Sequence, residues 1–164
     1  LANGYCGIGW SIAYLLQNKF IEGKVNEVLE EIDSKIMERD VCRIKDYKLY
    51  TGFEGILHYV IFRLSLSEYL GPFDKKYIDS IYDTSRELMK MEQYNTLSKL
   101  ATQYISWSQG KILYYDPDAL IKGLIKQNKY QLDKITNLDL GIENGCAGIG
   151  LNIIFNEEKF IHIR

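Results

Sequence analysis

Two cysteines and one histidine fall where a metal could use them. Cys6, His58 and Cys146 each lie within or just after a Gly-x-x-Gly stretch that reads as the opening of a helix. Two thiolates and one imidazole form a sufficient protein ligand set for a catalytic zinc ion. A thiol at a helix N-terminus also has a lowered pKa, which would make it a better ligand or nucleophile. The blander reading weighs more. Cys6 stands directly before the second glycine of its stretch, Cys146 directly after the first, and His58 sits a turn deeper. The three do not share a register, and a free cysteine commonly behaves as a small buried hydrophobe. The expectation is packing for all three and no cofactor, with zinc the lesser alternative.

Glu54 could act as an inward-facing general base. Thr51-x-x-Glu54 is also a full capping box, in which the glutamate reaches back to the threonine N–H, and the cap explains Glu54 without chemistry. Tyr5, Tyr14, Tyr59 and Tyr104 could line a peptide groove, although aromatic side chains on buried helices belong more often to a core. His162 reads as an exposed residue near the end of the sequence, the Glu27–Glu31 run as a solvated face, and Cys42 has no partner that the sequence names.

The elements that position these residues are repeats. NGYCGIGWSIAYLL, Asn3 to Leu16, recurs as TGFEGILHYVIFRL, Thr51 to Leu64, and as NGCAGIGLNIIF, Asn144 to Phe155. Recurrence of a unit of this size is the signature of a helical repeat architecture. Asn3, Thr51 and Asn144 stand at N-cap positions, where a side-chain oxygen satisfies first-turn N–H groups. Gly4 and Gly7, Gly52 and Gly55, and Gly145 and Gly148 follow within the first turn. A glycine inside a helix costs roughly 0.5–1 kcal/mol relative to alanine, so a close approach by another backbone is the expected reason for each. The first two runs beyond the glycines are apolar nearly all round, which marks buried helices. Between them, Val25, Val28, Leu29, Ile32 and Ile36 at 3-and-4 spacing mark an amphipathic helix with one wet face. The unit is a buried inner helix followed by a half-wet outer one. Gly4 and Gly52 lie 48 positions apart and Gly52 and Gly145 lie 93 apart, close to twice that spacing. A degenerate copy is therefore expected around Leu97 to Trp107.

In chain order the pattern predicts an inner helix over Leu1–Asn18, a turn to Gly23, and an outer helix over Lys24–Arg39. A link to Tyr50 leads to the second inner helix, Thr51–Tyr69, which Gly71-Pro72 stops. Asp74 caps a helix whose stripe is Tyr77, Ile78, Ile81, Tyr82, Leu88 and Met89. Leu97, Leu100, Ala101, Tyr104, Ile105 and Ser108 share one face of a fifth helix that Gly110 ends. Asp116-Pro117-Asp118 starts a sixth, with Asp116 as cap and Pro117 at the first helical position. Tyr130 to Glu143 reads as loop, Asn144 opens the third inner helix, and Glu157 to Arg164 is left without an assignment.

The 164 residues suffice for one domain with a sizeable core, expected to be all-α across 1–164. A net charge of −2 without like-charge blocks suggests neither a nucleic-acid nor an anionic-membrane partner. No apolar run approaches a membrane span. Three cysteines at irregular spacing do not form a disulfide framework, and the expected location is cytoplasmic. The sequence opens with Leu inside a motif, and the expectation is that a longer protein contains it.

The three glycine-led stretches, with a Glu-rich outer helix ending in KIMERD, resemble the repeats of the lanthionine synthetase C-like family, especially its gut Bacteroidetes members. The resemblance covers most of the chain and is weakest from about Tyr94 to Glu143. It implies an α/α toroid, inner helices forming a barrel inside an outer sleeve, of which this chain would be the C-terminal arc. Such an arc has an open apolar edge, through which self-association is expected. It also implies a role in peptide modification. Active family members hold zinc through two cysteines and a histidine and use it to activate a peptide thiol for thioether ring closure. Their Trp-Cys-Tyr-Gly-like and Cys-His-Gly motifs are absent: neither Trp10 nor Trp107 precedes a Cys, and none of Cys6, Cys42 and Cys146 precedes a His. No ligand carries over, so the expected role is peptide binding or a degenerate cyclase. The alternative is a non-catalytic scaffold that binds a peptide or protein on its concave face. A carbohydrate-active α/α barrel would need paired inner carboxylates where only Glu54 is available.

Overall fold

The computed structural model describes residues 4–67, 71–90 and 95–127. Within them the chain folds as six α-helices with no strand: α1 Tyr5–Gln17, α2 Val25–Met37, α3 Phe53–Ser65, α4 Lys75–Met89, α5 Asn95–Ser108 and α6 Pro117–Gln127. One 3-10 turn, Val41–Arg43, lies in the link after α2. The third glycine motif, its Asn144, Gly145, Cys146 and Gly148, the Tyr130–Glu143 loop and His162 lie outside the described residues.

The inner and outer character of the helices follows the pattern. In α3 every residue from Gly55 to Leu64 is buried. In α1, Trp10, Ala13, Tyr14 and Leu16 are buried, while Ile8, Ile12 and Leu15 are half-buried. α3 packs against both α1 and α5, α2 lies on α1, and α4 lies on α5 and the 3-10 turn. α6 joins through an aromatic seam: Tyr14 donates to Asp118 Oδ1 at 3.1 Å, and Trp10 stacks on Tyr14 at 5.6 Å between ring centroids.

Helix starts follow the sequence where the cap is local. Asp74 Oδ1 accepts from the Tyr77 N–H at 2.7 Å, and Asp116 Oδ1 accepts from the N–H groups of Asp118 and Ala119 at 3.0 and 3.2 Å. Gly110 has φ +87°, the left-handed conformation that ends α5 and suits glycine.

The glycine-led starts differ from expectation. Gly4 and Gly52, not Asn3 and Thr51, occupy the N-cap positions of α1 and α3, and neither helix has a side-chain cap. The capping box does not form. Asp46 is the competitor that prevents it. Its backbone oxygen accepts from the Phe53 N–H at 2.9 Å, and its carboxylate accepts from the Lys48 N–H and the Thr51 hydroxyl. These bonds hold the Asp46 carboxyl below its ordinary value, the Thr51 bond foremost. With a first-turn N–H satisfied by a loop carbonyl and Thr51 engaged elsewhere, Glu54 has nothing to cap.

α3 also ends at Ser65 rather than running to Tyr69. The Ser65 hydroxyl donates to the Phe62 carbonyl at 2.7 Å and the Ser67 hydroxyl to the Arg63 carbonyl at 3.1 Å. Serine hydroxyls compete in this way for the carbonyls that a continuing helix would use. Met89, expected in the core stripe of α4, is 47% exposed, and in α2 Asp33 and not Val28 faces inward.

Candidate functional site

Tyr115 lies just before α6 and reaches back across α3. It stacks on Phe62 at 5.2 Å and meets the His58 ring edge-on at 5.8 Å. Its hydroxyl accepts from Trp10 Nε1 at 3.0 Å and lies 2.8 Å from His58 Nδ1. Trp10 can only donate to this hydroxyl, and the direction of the bond between Tyr115 and His58 Nδ1 follows the imidazole tautomer. Burial pushes the His58 pKa down to about 3, which keeps the ring neutral.

This neutrality has a measurable consequence. His58 will show no titration in NMR between pH 8 and about 4. Below the ordinary value of 6.5 the unfolded chain binds a proton at this site that the folded chain does not, so stability falls with pH from there towards about 3. A ring that protonates near pH 6.5 in the folded protein would contradict the arrangement.

His58 lines a cavity of about 440 Å³ between α3, α5 and α6. Its other polar walls are Glu54, Thr96, Gln103, Tyr115 and Asp116, and Leu49, Leu100, Leu120 and Leu124 supply apolar surface. Glu54 lies one helical turn before His58, so the two share a face of α3. It is half-buried and has no hydrogen-bond or ion-pair partner among the described residues. Desolvation raises its carboxyl above the ordinary range.

The other sequence candidates separate. Tyr14, Tyr59 and Tyr104 are buried and bonded to Asp118, Asp33 and the Ile78 carbonyl respectively, so they are core rather than groove. Tyr5 is 54% exposed. The aromatics at the cavity are instead Tyr114 and Tyr115, which the sequence reading did not single out. The signal was available: in the apolar run directly before the Asp116-Pro117 start, alternate residues, Leu113 and Tyr115, turn towards the core.

Cys6 packs against the core, and burial lifts its thiol to about 11 instead of the lowered value expected at a helix start. Among the described residues no three His, Cys, Asp or Glu side chains gather closely enough to hold a metal ion. His58 Nδ1 is already committed to Tyr115, and Cys146 lies outside the described residues. Cys6 and His58 therefore do not fit a zinc centre in the described part of the chain. In a brief alkylation with iodoacetamide at pH 7.5, exposed Cys42 will react well before Cys6. Peptide mass spectrometry reads this directly, and equal labelling of the two would contradict the burial of Cys6.

A second depression, of about 670 Å³, lies over Asn26, Glu30, Asp33 and Ser67. Asn26, Asp33 and Ser67 there are bonded to Arg63, whereas the smaller cavity presents unpartnered Glu54. The smaller one is the candidate site.

No helix among the described residues is long and apolar enough to cross a membrane. Comparison of the chain with protein-family models, with curated proteins and with solved structures returns no match.

Proposed function

We propose that the chain is an arc of a lanthionine synthetase C-like α/α toroid and that it serves peptide modification by holding a peptide in the cavity between α3, α5 and α6. The contact order supports the ring-like reading: α1 against α3, α3 against α5, with α2 and α4 on their flanks. The observation that carries the binding role is the cavity itself. It has the size of a ligand site, a largely apolar wall and a few convergent polar groups, and it opens beside two of the inner helices.

The test is fluorescence anisotropy with a labelled Cys/Ser/Thr-rich peptide and the full chain. Saturable binding is expected, lost in Leu120→Arg, which places a long charged side chain in the cavity, while circular dichroism confirms the fold. Binding that survives Leu120→Arg overturns the assignment of the peptide to this cavity. The scaffold alternative draws on a different observation: Ile112 and Tyr114 are 97% and 74% exposed on the segment before α6. It predicts capture of a protein partner that Ile112→Asp abolishes and Leu120→Arg leaves intact.

A further inference from the structure

We propose that the cavity recognises a cationic group, the ammonium of a lysine side chain in an extended peptide, with Glu54 as its counter-charge. The inference rests on the peptide-binding reading above and specifies what the peptide must carry.

Charge complementarity selects this occupant. Two lining residues are acidic, Glu54 and Asp116, and none of the lining residues among those described is Lys or Arg. His58, which could have balanced them, is held neutral by burial. Asp116 is partly engaged as the α6 cap. Glu54 is not engaged at all, and nothing in the fold accounts for it now that the capping box is absent. A half-buried carboxylate without a partner is unfavourable unless a cation or donors meet it.

The walls suit a lysine. Leu49, Leu100 and Leu124 offer apolar surface to its methylene stem while the ammonium meets Glu54, the division of labour that long cationic side chains generally adopt. His58 Nε2 has no hydrogen-bond partner among the described residues and can donate to or accept from a peptide amide according to its tautomer, and Gln103 can both donate and accept. Tyr114 lines the cavity, and the segment Ile112–Tyr114 that leads to it lies outside any helix and makes no backbone hydrogen bond among the described residues. That strip of main chain can pair with an extended peptide as an added strand.

The test uses two fluorescein-labelled hexapeptides of Gly, Ser and Thr that differ at one central position, lysine in one and norleucine in the other. Norleucine keeps the stem and removes the charge. The full chain should bind the lysine peptide about tenfold more tightly, the worth of one charge-assisted contact. Glu54→Gln should bring that ratio to about one by weakening the lysine peptide. Equal binding of both peptides by the wild-type chain, or a preference that persists in Glu54→Gln, overturns the cation assignment while peptide binding stands. Binding of neither peptide overturns both. Circular dichroism and a melt on Glu54→Gln keep the comparison sound, and that variant should be at least as stable as the parent because it loses a desolvated charge.

Discussion

Asp33→Ala will lower the unfolding free energy by about 3–5 kcal/mol, the usual cost of leaving one member of a buried ion pair without the other. Asp33 and Arg63 are 1% and 0% exposed, with Arg63 Nε donating to Asp33 Oδ2 at 3.0 Å. Each of the other two guanidinium nitrogens also donates, Nη2 to Asn26 Oδ1 at 2.9 Å and Nη1 to Ser67 Oγ at 3.3 Å, and the Tyr59 hydroxyl donates to Asp33 Oδ1. The guanidinium cannot shed its charge by deprotonating, so removal of the carboxylate strands a cation between α2 and α3. Tyr59 loses its acceptor at the same time. Tyr59→Phe, which removes one donor and keeps the ring, should cost only about 1–2 kcal/mol. The double variant Asp33→Leu with Arg63→Met should recover most of the loss, since apolar residues of similar volume often replace a buried pair at little cost. Urea unfolding monitored by circular dichroism measures all three, and an unchanged m-value identifies the effect as one on stability. A cost below about 1 kcal/mol for Asp33→Ala would mean that water reaches the pair and that it does not tie α2 to α3.

The same pair shows where sequence reading stops. The inner and outer helices were legible because burial imposes a period on the chain, and Asp74 and Asp116 were legible because a cap acts within three residues of itself. The helix-level expectations at Thr51 and at the end of α3 failed for one physical reason. Local hydrogen-bond chemistry there had two outcomes of similar cost: the path of the Asp46–Gly52 loop decided at Thr51, and the Ser65 and Ser67 hydroxyls decided at the end of α3. Asp33 is separated from Arg63 by 30 residues, and no spacing rule pairs them. A trace was nevertheless present: Arg63 interrupts an otherwise apolar run on a helix buried all round, and a buried guanidinium demands an acid. At the candidate site, Glu54 and His58 were each singled out on the inner helix, though not as a pair. The cavity they face was not visible, because α5, α6 and the Tyr114–Asp116 segment that complete it come from 40 to 70 residues further along.

Gly52→Ala will be strongly damaging, whereas Gly4→Ala will be nearly neutral. A Cβ on Gly52 would lie 2.2 Å from the Asp46 carbonyl oxygen and 2.8 Å from the Lys48 nitrogen, all backbone, while a Cβ on Gly4 meets nothing within 4 Å. Backbone cannot rotate aside as a side chain can. Relief requires the Asp46–Gly52 loop to move off α3, which breaks the bond from the Phe53 N–H to Asp46 and that from the Gly52 N–H to Lys48, both 2.9 Å. Overpacking of this kind costs about 1–3 kcal/mol, and the value here should fall at the top of that range. The displacement also reaches the cavity, because Leu49 lines it from within the same loop, so peptide affinity should fall together with the melting temperature. The expectation that every glycine of the repeat serves a close approach thus holds at Gly52 and not at Gly4. Gly9, outside that set, is also tightly packed: its Cβ would lie 2.6 Å from the Tyr59 ring, which Asp33 anchors. Thermal melts of Gly4→Ala, Gly9→Ala and Gly52→Ala should therefore rank with Gly4 the mildest and Gly52 the most severe. If Gly4→Ala proved as damaging as Gly52→Ala, helix-start flexibility rather than close approach would be the property that the repeated glycines supply.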